Sequence, residues 1–234
     1  MMTRHLATVL AAVGLCTVVT TAGADIVIRN GGFETNWLSN NNWNNAAPDE
    51  WSVYDGGYQN APSGWITPEA IDGEMSAFID GAPSGDPSPW IAQELQHDNG
   101  SAVLSAEGLL VNLSFHVGRK VAPAGNFAPV VEAILECQSG GVWQTFATFT
   151  YDAGDAGLQK GSWDSVHAPL TMTGLTSGYV GQPVRLTIFN RTIASPDWYG
   201  QASLDVVTII PEPMTIGLLG LGAAALLRRR RNNS

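Results

Sequence analysis

Apolar and polar residues alternate with a period of two along several stretches of this chain. In Leu110–Gly118, Val111, Leu113, Phe115 and Val117 alternate with Asn112, Ser114 and His116, which marks a strand with one buried face. Val130–Cys137 alternates in the same way, with Glu132 and Glu136 on the wetter side. Val142–Tyr151 and Val184–Asn190 are rich in the β-branched and aromatic residues that suit a pleated surface. Shorter strands are predicted at Asp25–Arg29, Trp51–Tyr54, Met75–Asp80, Trp90–Gln96 and Ser165–Thr171, and a last one at Ala202–Ile210. Helix-period patterns are scarce and no internal repeat stands out. Ten short strands separated by Gly, Pro, Asn and Asp predict an all-β fold, a single-domain β-sandwich for which a jelly roll is the closest fit in size.

The two ends break this pattern. Arg4 and His5 open a basic start, Leu6–Val19 is almost unbrokenly apolar, and Ala22-Gly23-Ala24 offers the small-x-small site of signal peptidase. Residues 1–24 are therefore expected to be a signal helix cleaved after Ala24. At the other end, Pro211-Glu212-Pro213 precedes the uncharged run Met214–Leu227, and then Arg228, Arg229, Arg230 and Arg231. As a helix that run spans roughly 21 Å, short of the ~30 Å hydrocarbon core. The arginines would stay cytoplasmic and leave residues 25–210 outside. An anchor so short suits a handle that is held and then cut.

The two end segments carry much of the basic charge. Residues 25–210 hold six basic against 20 acidic side chains, a net of −14. Such a surface repels phosphate backbones, so nucleic acid is not expected as a partner. Of the two cysteines, Cys16 lies in the signal segment, and Cys137 alone can form no intramolecular disulfide. Apolar burial must then stabilise the domain, and 186 residues can supply it.

Pro211-Glu212-Pro213, the short apolar run and the four arginines, in that order, resemble the PEP-CTERM sorting signal. That family implies recognition by an exosortase-type membrane protease and export to the cell surface or extracellular matrix. A second resemblance lies at the edges of the middle domain. Asn30-Gly31-Gly32-Phe33-Glu34, Trp51 downstream, Gly181-Gln182-Pro183-Val184-Arg185-Leu186 and the final Leu204-Asp205-Val206 are similar to galactose-binding-like β-sandwiches, which include carbohydrate-binding modules. The resemblance implies neighbouring first and last strands with a structural Ca²⁺ between them, held partly by Glu34 and Asp205. Asp205 is also the only charge in Ala202–Ile210, apolar on both alternations. A carboxylate there needs backbone hydrogen bonds, a cation such as Arg29, or a bound metal with oxygen ligands.

Catalytic motifs fail one by one. Gly81-Ala82-Pro83-Ser84-Gly85 has the wrong spacing for a nucleophile elbow, and no zinc or phosphate-loop spacing occurs. The stretch Asn30–Trp51 is the most unusual, with Trp37, Trp43, Asn41 and Asn44 among seven asparagines. Indole faces stack on sugars and amides bond their hydroxyls, but the same residues also build turns and anchor loops. The sequence thus leads to an expectation of a non-catalytic exported protein binding extracellular polysaccharide through Trp37, Trp43, Asn41 and Asn44. The alternatives are a structural matrix component and a polysaccharide hydrolase using paired carboxylates.

Overall fold

The computed structural model describes residues 26–35, 38, 42–60, 70–71, 73–82, 88–97, 109–121, 126–172, 178–193 and 200–210. The two end segments, with Ala22, Ala24 and the sorting motif, lie outside these residues, as do Trp37 and Asn41.

Thirteen strands are formed among the described residues. They are β1 (Ile26–Val27), β2 (Asn42–Asn44), β3 (Ser52–Tyr54), β4 (Gly56–Asn60), β5 (Ser76–Ile79), β6 (Trp90–Glu94), β7 (Gln96–His97), β8 (Leu109–Arg119), β9 (Val130–Ser139), β10 (Val142–Asp152), β11 (Trp163–Met172), β12 (Val184–Asn190) and β13 (Ala202–Ile210). They build a five-stranded antiparallel sheet in the order β10-β9-β12-β6-β3, a six-stranded one in the order β11-β8-β13-β5-β4-β2, and the small pair β1-β7.

The core lies between the two large sheets, where the period-two pattern predicts it. From the five-stranded sheet come Val131, Ala133, Leu135 and Cys137 of β9 and Val184, Leu186 and Ile188 of β12. From the six-stranded sheet come Val111, Leu113, Phe115 and Val117 of β8, with Ala77 and Ile79 of β5 and Ala202 and Leu204 of β13. Burying these side chains removes apolar area from water at about 25 cal/mol per Å², the main favourable term where the one cysteine among the described residues is free. Burial also pushes the Cys137 thiol pKa up, so it behaves as one more small apolar side chain.

Two of these strands, β2 and β4, fall outside the sequence reading, and the predicted Trp90–Gln96 divides into β6 and the start of β7. β2 and β4 lie among Asn and Gly residues that favour turns, and pairing overrides that preference. Two register shifts interrupt the regular ladders. One lies between Thr145 and Ala147 on β10, the other between Asp205 and Thr208 on β13.

Candidate functional site

The outer face of the five-stranded sheet gathers aromatic and charged side chains from all five strands. Pairing aligns Tyr54 with Trp90, Trp90 with Phe189, and Phe189 with Glu132, so one row runs across β3, β6, β12 and β9. A parallel row aligns Glu94, Arg185, Glu136 and Thr145. Residues two apart on a strand share a face, so both rows and the Ala92–Thr187–Ile134 row between them look outward.

The side chains interlock. The rings of Tyr54 and Trp90 lie 6.5 Å apart between centroids at 25°. The Arg185 guanidinium sits 4.3 Å from the Trp143 ring centre and 6.0 Å from that of Trp90. Its Nε donates to Glu136 Oε2 at 2.6 Å, and the Thr187 hydroxyl donates to the same oxygen at 2.6 Å. Glu136 is only 7% exposed, so a carboxylate is held close under an aromatic surface by a charge-assisted bond and a hydroxyl. Nearby, the Arg191 guanidinium covers Phe189 at 4.0 Å and donates to Glu132 at 2.7 Å. Tyr54 is 44% exposed, while Trp90, Trp143 and Phe189 are half-buried. Flat π-faces with a fixed positive and a fixed negative group can stack a planar molecule and orient its polar atoms.

This face differs from the one expected from sequence. Trp43 lies in β2, its backbone paired with Gln59 in the six-stranded sheet. Asn44 donates its amide to the Tyr58 hydroxyl at 2.8 Å and accepts from the Ala46 N–H, so both ends of its amide are already engaged. No local density of Trp or Asn marks the assembled face, because it draws one or two residues from each of five strands. The available signal was the outward alternation of Trp90, Arg185, Phe189 and Glu136 on strands whose other alternation is apolar.

Glu34 and Asp205 do converge on one segment. Glu34 Oε1 accepts from the N–H groups of Glu74 and Met75 at 3.1 and 2.8 Å. Asp205 is fully buried, and it accepts from Ile71 and Val206 N–H, each at 2.7 Å. Backbone amides thus answer part of what the buried carboxylate requires. Arg29 is exposed, and its backbone bonds the Gln93 side chain. Left-handed backbone sets both carboxylates: Phe33 (φ 62°) precedes Glu34, and Val206 (φ 49°) follows Asp205. For a β-branched or bulky side chain this conformation is costly, and such strain gathers where the surroundings fix it. Gly31 makes the close approach possible. Its carbonyl accepts from Val207 N–H at 2.9 Å, and a Cβ at residue 31 would lie 2.0 Å from the Val207 oxygen. No group of three His, Cys, Asp or Glu side chains able to hold a metal occurs among the described residues. Glu34 and Asp205 offer hard oxygens of the kind Ca²⁺ takes, and carbonyl oxygens would have to complete such a set.

No protein-family model matches the chain, and neither does any curated protein. Solved structures do match. An apo-form cyclase from Fischerella sp. superposes with a TM-score of 0.61 at 19% identity, covering 82% of this chain and 98% of that one. A Stig cyclase, Fisc from Fischerella sp. TAU, solved with (3Z)-3-(1-methyl-2-pyrrolidinylidene)-3H-indole, gives 0.58 at 17% identity over 79% and 96%. A CBM22-1–CBM22-2 tandem domain from Paenibacillus barcinonensis Xyn10C reaches only 0.41 at 16% identity over 69% and 44%, too loose a likeness to support an argument. At these identities the matches establish a shared β-sandwich fold. They also correct the expectation of a non-catalytic polysaccharide-binding protein, because enzymes are built on this same fold. The error has a physical origin. Missing short motifs exclude only chemistry that is local in sequence, and a site spread over a sheet face leaves no such motif.

Proposed function

We propose that this chain is an exported enzyme that converts a planar aromatic small molecule on the outer face of its five-stranded sheet. The observation that carries this reading is the assembly of Tyr54, Trp90, Trp143 and Phe189 around the Arg185–Glu136 pair. The ligand class is taken from the matched cyclases, one of which was solved with 4-(1H-indol-3-yl)butan-2-one. Trp90 and Tyr54 stack the ring system, and Arg185 orients its polar end. As the electron-rich aromatic attacks the ketone carbon and closes a ring, the C=O π pair passes to oxygen, which takes a proton from water, and positive charge is left on the aromatic. The π-faces and the Glu136 carboxylate stabilise that charge without reorganising. Glu136 then accepts the proton that leaves when the aromatic ring is restored.

The test is conversion of indole-bearing ketones followed by chromatography and mass spectrometry. Wild type should form a cyclised product, whereas Glu136→Gln should bind the same compounds and form none. Absence of both binding and product in the wild type would overturn the reading.

Export completes the reading. Signal peptidase cleaves after Ala24, and an exosortase-type protease removes the tail after it has held the chain in the inner membrane. The protein is then released to the cell surface or matrix. Secreted protein should begin at Asp25 and lack Arg228–Arg231 by mass spectrometry; retention of the tail in a host with active exosortase would refute the sorting step. The strands are wired as a jelly roll. A structural Ca²⁺ is held by Glu34 and Asp205 with backbone carbonyls, where it ties the first strand to the last.

A further inference from the structure

The outer side of the six-stranded sheet is polar apart from Phe78, yet its central part is buried. Gln59, Ser76, Ser203, Gln201, Lys120 and Asp205 are all nearly or fully inaccessible there. Pairing explains how three side chains meet at one end of it. Ala202 of β13 stands opposite both Arg119 of β8 and Ile79 of β5. One step further along the antiparallel strands, Gln201 is flanked by Lys120 on one side and Asp80 on the other. All three alternate away from the core residues Ala202 and Ile79.

Lys120 is 5% exposed and Gln201 6%. The Gln201 side-chain nitrogen donates to Asp80 Oδ1 at 2.5 Å, and Asp80 N–H in turn donates to the Asp55 carbonyl. Gln201 Oε1 has no donor. Among the described residues it is one of two buried side-chain polar atoms without a hydrogen bond, the other being His116 Nδ1. A buried acceptor left open is costly, so its persistence near a buried amine points to an N–H or O–H brought from outside. Burial lowers the Lys120 pKa to about 8, with Asp80 opposing the shift. At pH 7 about a tenth of such an amine is neutral, against well under a thousandth of an ordinary lysine.

We propose that Lys120 is a carbonyl-reactive amine that condenses with small aldehydes at the end of the six-stranded sheet, supported by Asp80 and Gln201. The ammonium first gives a proton to Asp80; the neutral Nζ attacks the aldehyde carbon and forms the C–N bond as the C=O π pair passes to oxygen, and a proton moves from the nitrogen to that oxygen. The resulting carbinolamine loses its hydroxyl as water, with Asp80 passing the proton to the leaving oxygen. The iminium that remains is a cation with one N–H. Asp80 is its counter-ion, and before water leaves, the carbinolamine hydroxyl donates to the open Gln201 Oε1.

The chain provides its own control, because Lys120 and Lys160 are its only lysines. Lys160 is exposed and bonds Asn126. Acetaldehyde with cyanoborohydride at pH 7, followed by peptide mapping that separates the α-amine, reads both sites at once. Lys120 should be ethylated roughly tenfold faster than Lys160 in spite of its burial. Asp80→Asn separates condensation from mere amine reactivity. It should speed acylation of Lys120 by acetic anhydride, since a charge that favours the ammonium is gone, yet slow reductive ethylation severalfold. Ethylation of Lys120 only after unfolding, or no faster than Lys160, would overturn the proposal. So would an Asp80→Asn variant ethylated as fast as the wild type. The wild-type comparison decides the matter even if that variant does not fold.

Discussion

At the scale of single residues, the costs in this structure are concentrated in a few positions. Lys120 carries one of them. Its folded pKa is depressed to about 8 from 10.5, so between those values the unfolded chain binds more protons than the folded one. Stability should therefore rise as pH is raised from 8 to 10.5, and the cost of burying the ammonium is felt in full below pH 8. Lys120→Met should raise the thermal midpoint at pH 7 by about 2–4 °C for each kcal/mol regained, and should abolish that dependence. Melts across pH 7–10.5 check this; an unchanged slope in the variant would place the titration elsewhere. Gly31 carries the opposite sign. A methyl group there would collide with the Val207 carbonyl, so Gly31→Ala should cost about 2–3 kcal/mol in urea unfolding. Asp205 was legible as an anomaly because it is the one charge in an apolar strand. Its partners were not legible, because backbone N–H groups from residue 71 carry no sequence signature.

At the scale of elements, the pattern of side chains found the long strands and the short β1, β3, β5 and β6, and missed β2 and β4. β12 and β13 have the bounds that the pattern predicts, and β8 and β9 differ by one or two residues. β11 runs two residues before and one beyond the predicted Ser165–Thr171, with Pro169 inside it. That proline is tolerated since β11 is an edge strand paired only with β8. β2 and β4 escaped through their composition. Their Asn and Gly residues have low strand preference, and only the close approach of Gly57 to the Asn44 carbonyl lets them pair. A Cβ at residue 57 would lie 1.9 Å from that oxygen, so Gly57→Ala should detach β2 from the sheet edge while β8 and β13 stay paired. Amide hydrogen exchange should show lost protection confined to residues 42–60; loss spreading to β8 would show that the edge is not an independent unit. The outer aromatic face escaped too, since Tyr54, Trp90, Trp143 and Arg185 are scattered over 132 positions of sequence and meet only through strand order.

At the scale of the molecule, the two carboxylates and the Gly31–Val207 contact join the beginning of the sandwich to its end. A divalent ion binding only the folded state there would add about 2.7 kcal/mol at a hundredfold excess over its Kd. The thermal midpoint should rise with millimolar Ca²⁺, rise less with Mg²⁺, and lose this response in Asp205→Asn; a midpoint indifferent to chelator would leave the backbone amides as sufficient partners. The two large sheets then divide the labour. The six-stranded one buries its outer side, and the five-stranded one sets Tyr54 and half-buried rings over the Arg185–Glu136 pair. The direct measurement is a titration of residues 25–210 with 4-(1H-indol-3-yl)butan-2-one, followed by the indole N–H resonances of all the tryptophans. Saturable shifts should be confined to Trp90 and Trp143 and should disappear in Tyr54→Ala, whose exposed ring adds little to stability. Resonances that do not move, or that move equally across the tryptophans, would contradict the assignment of that face as the site.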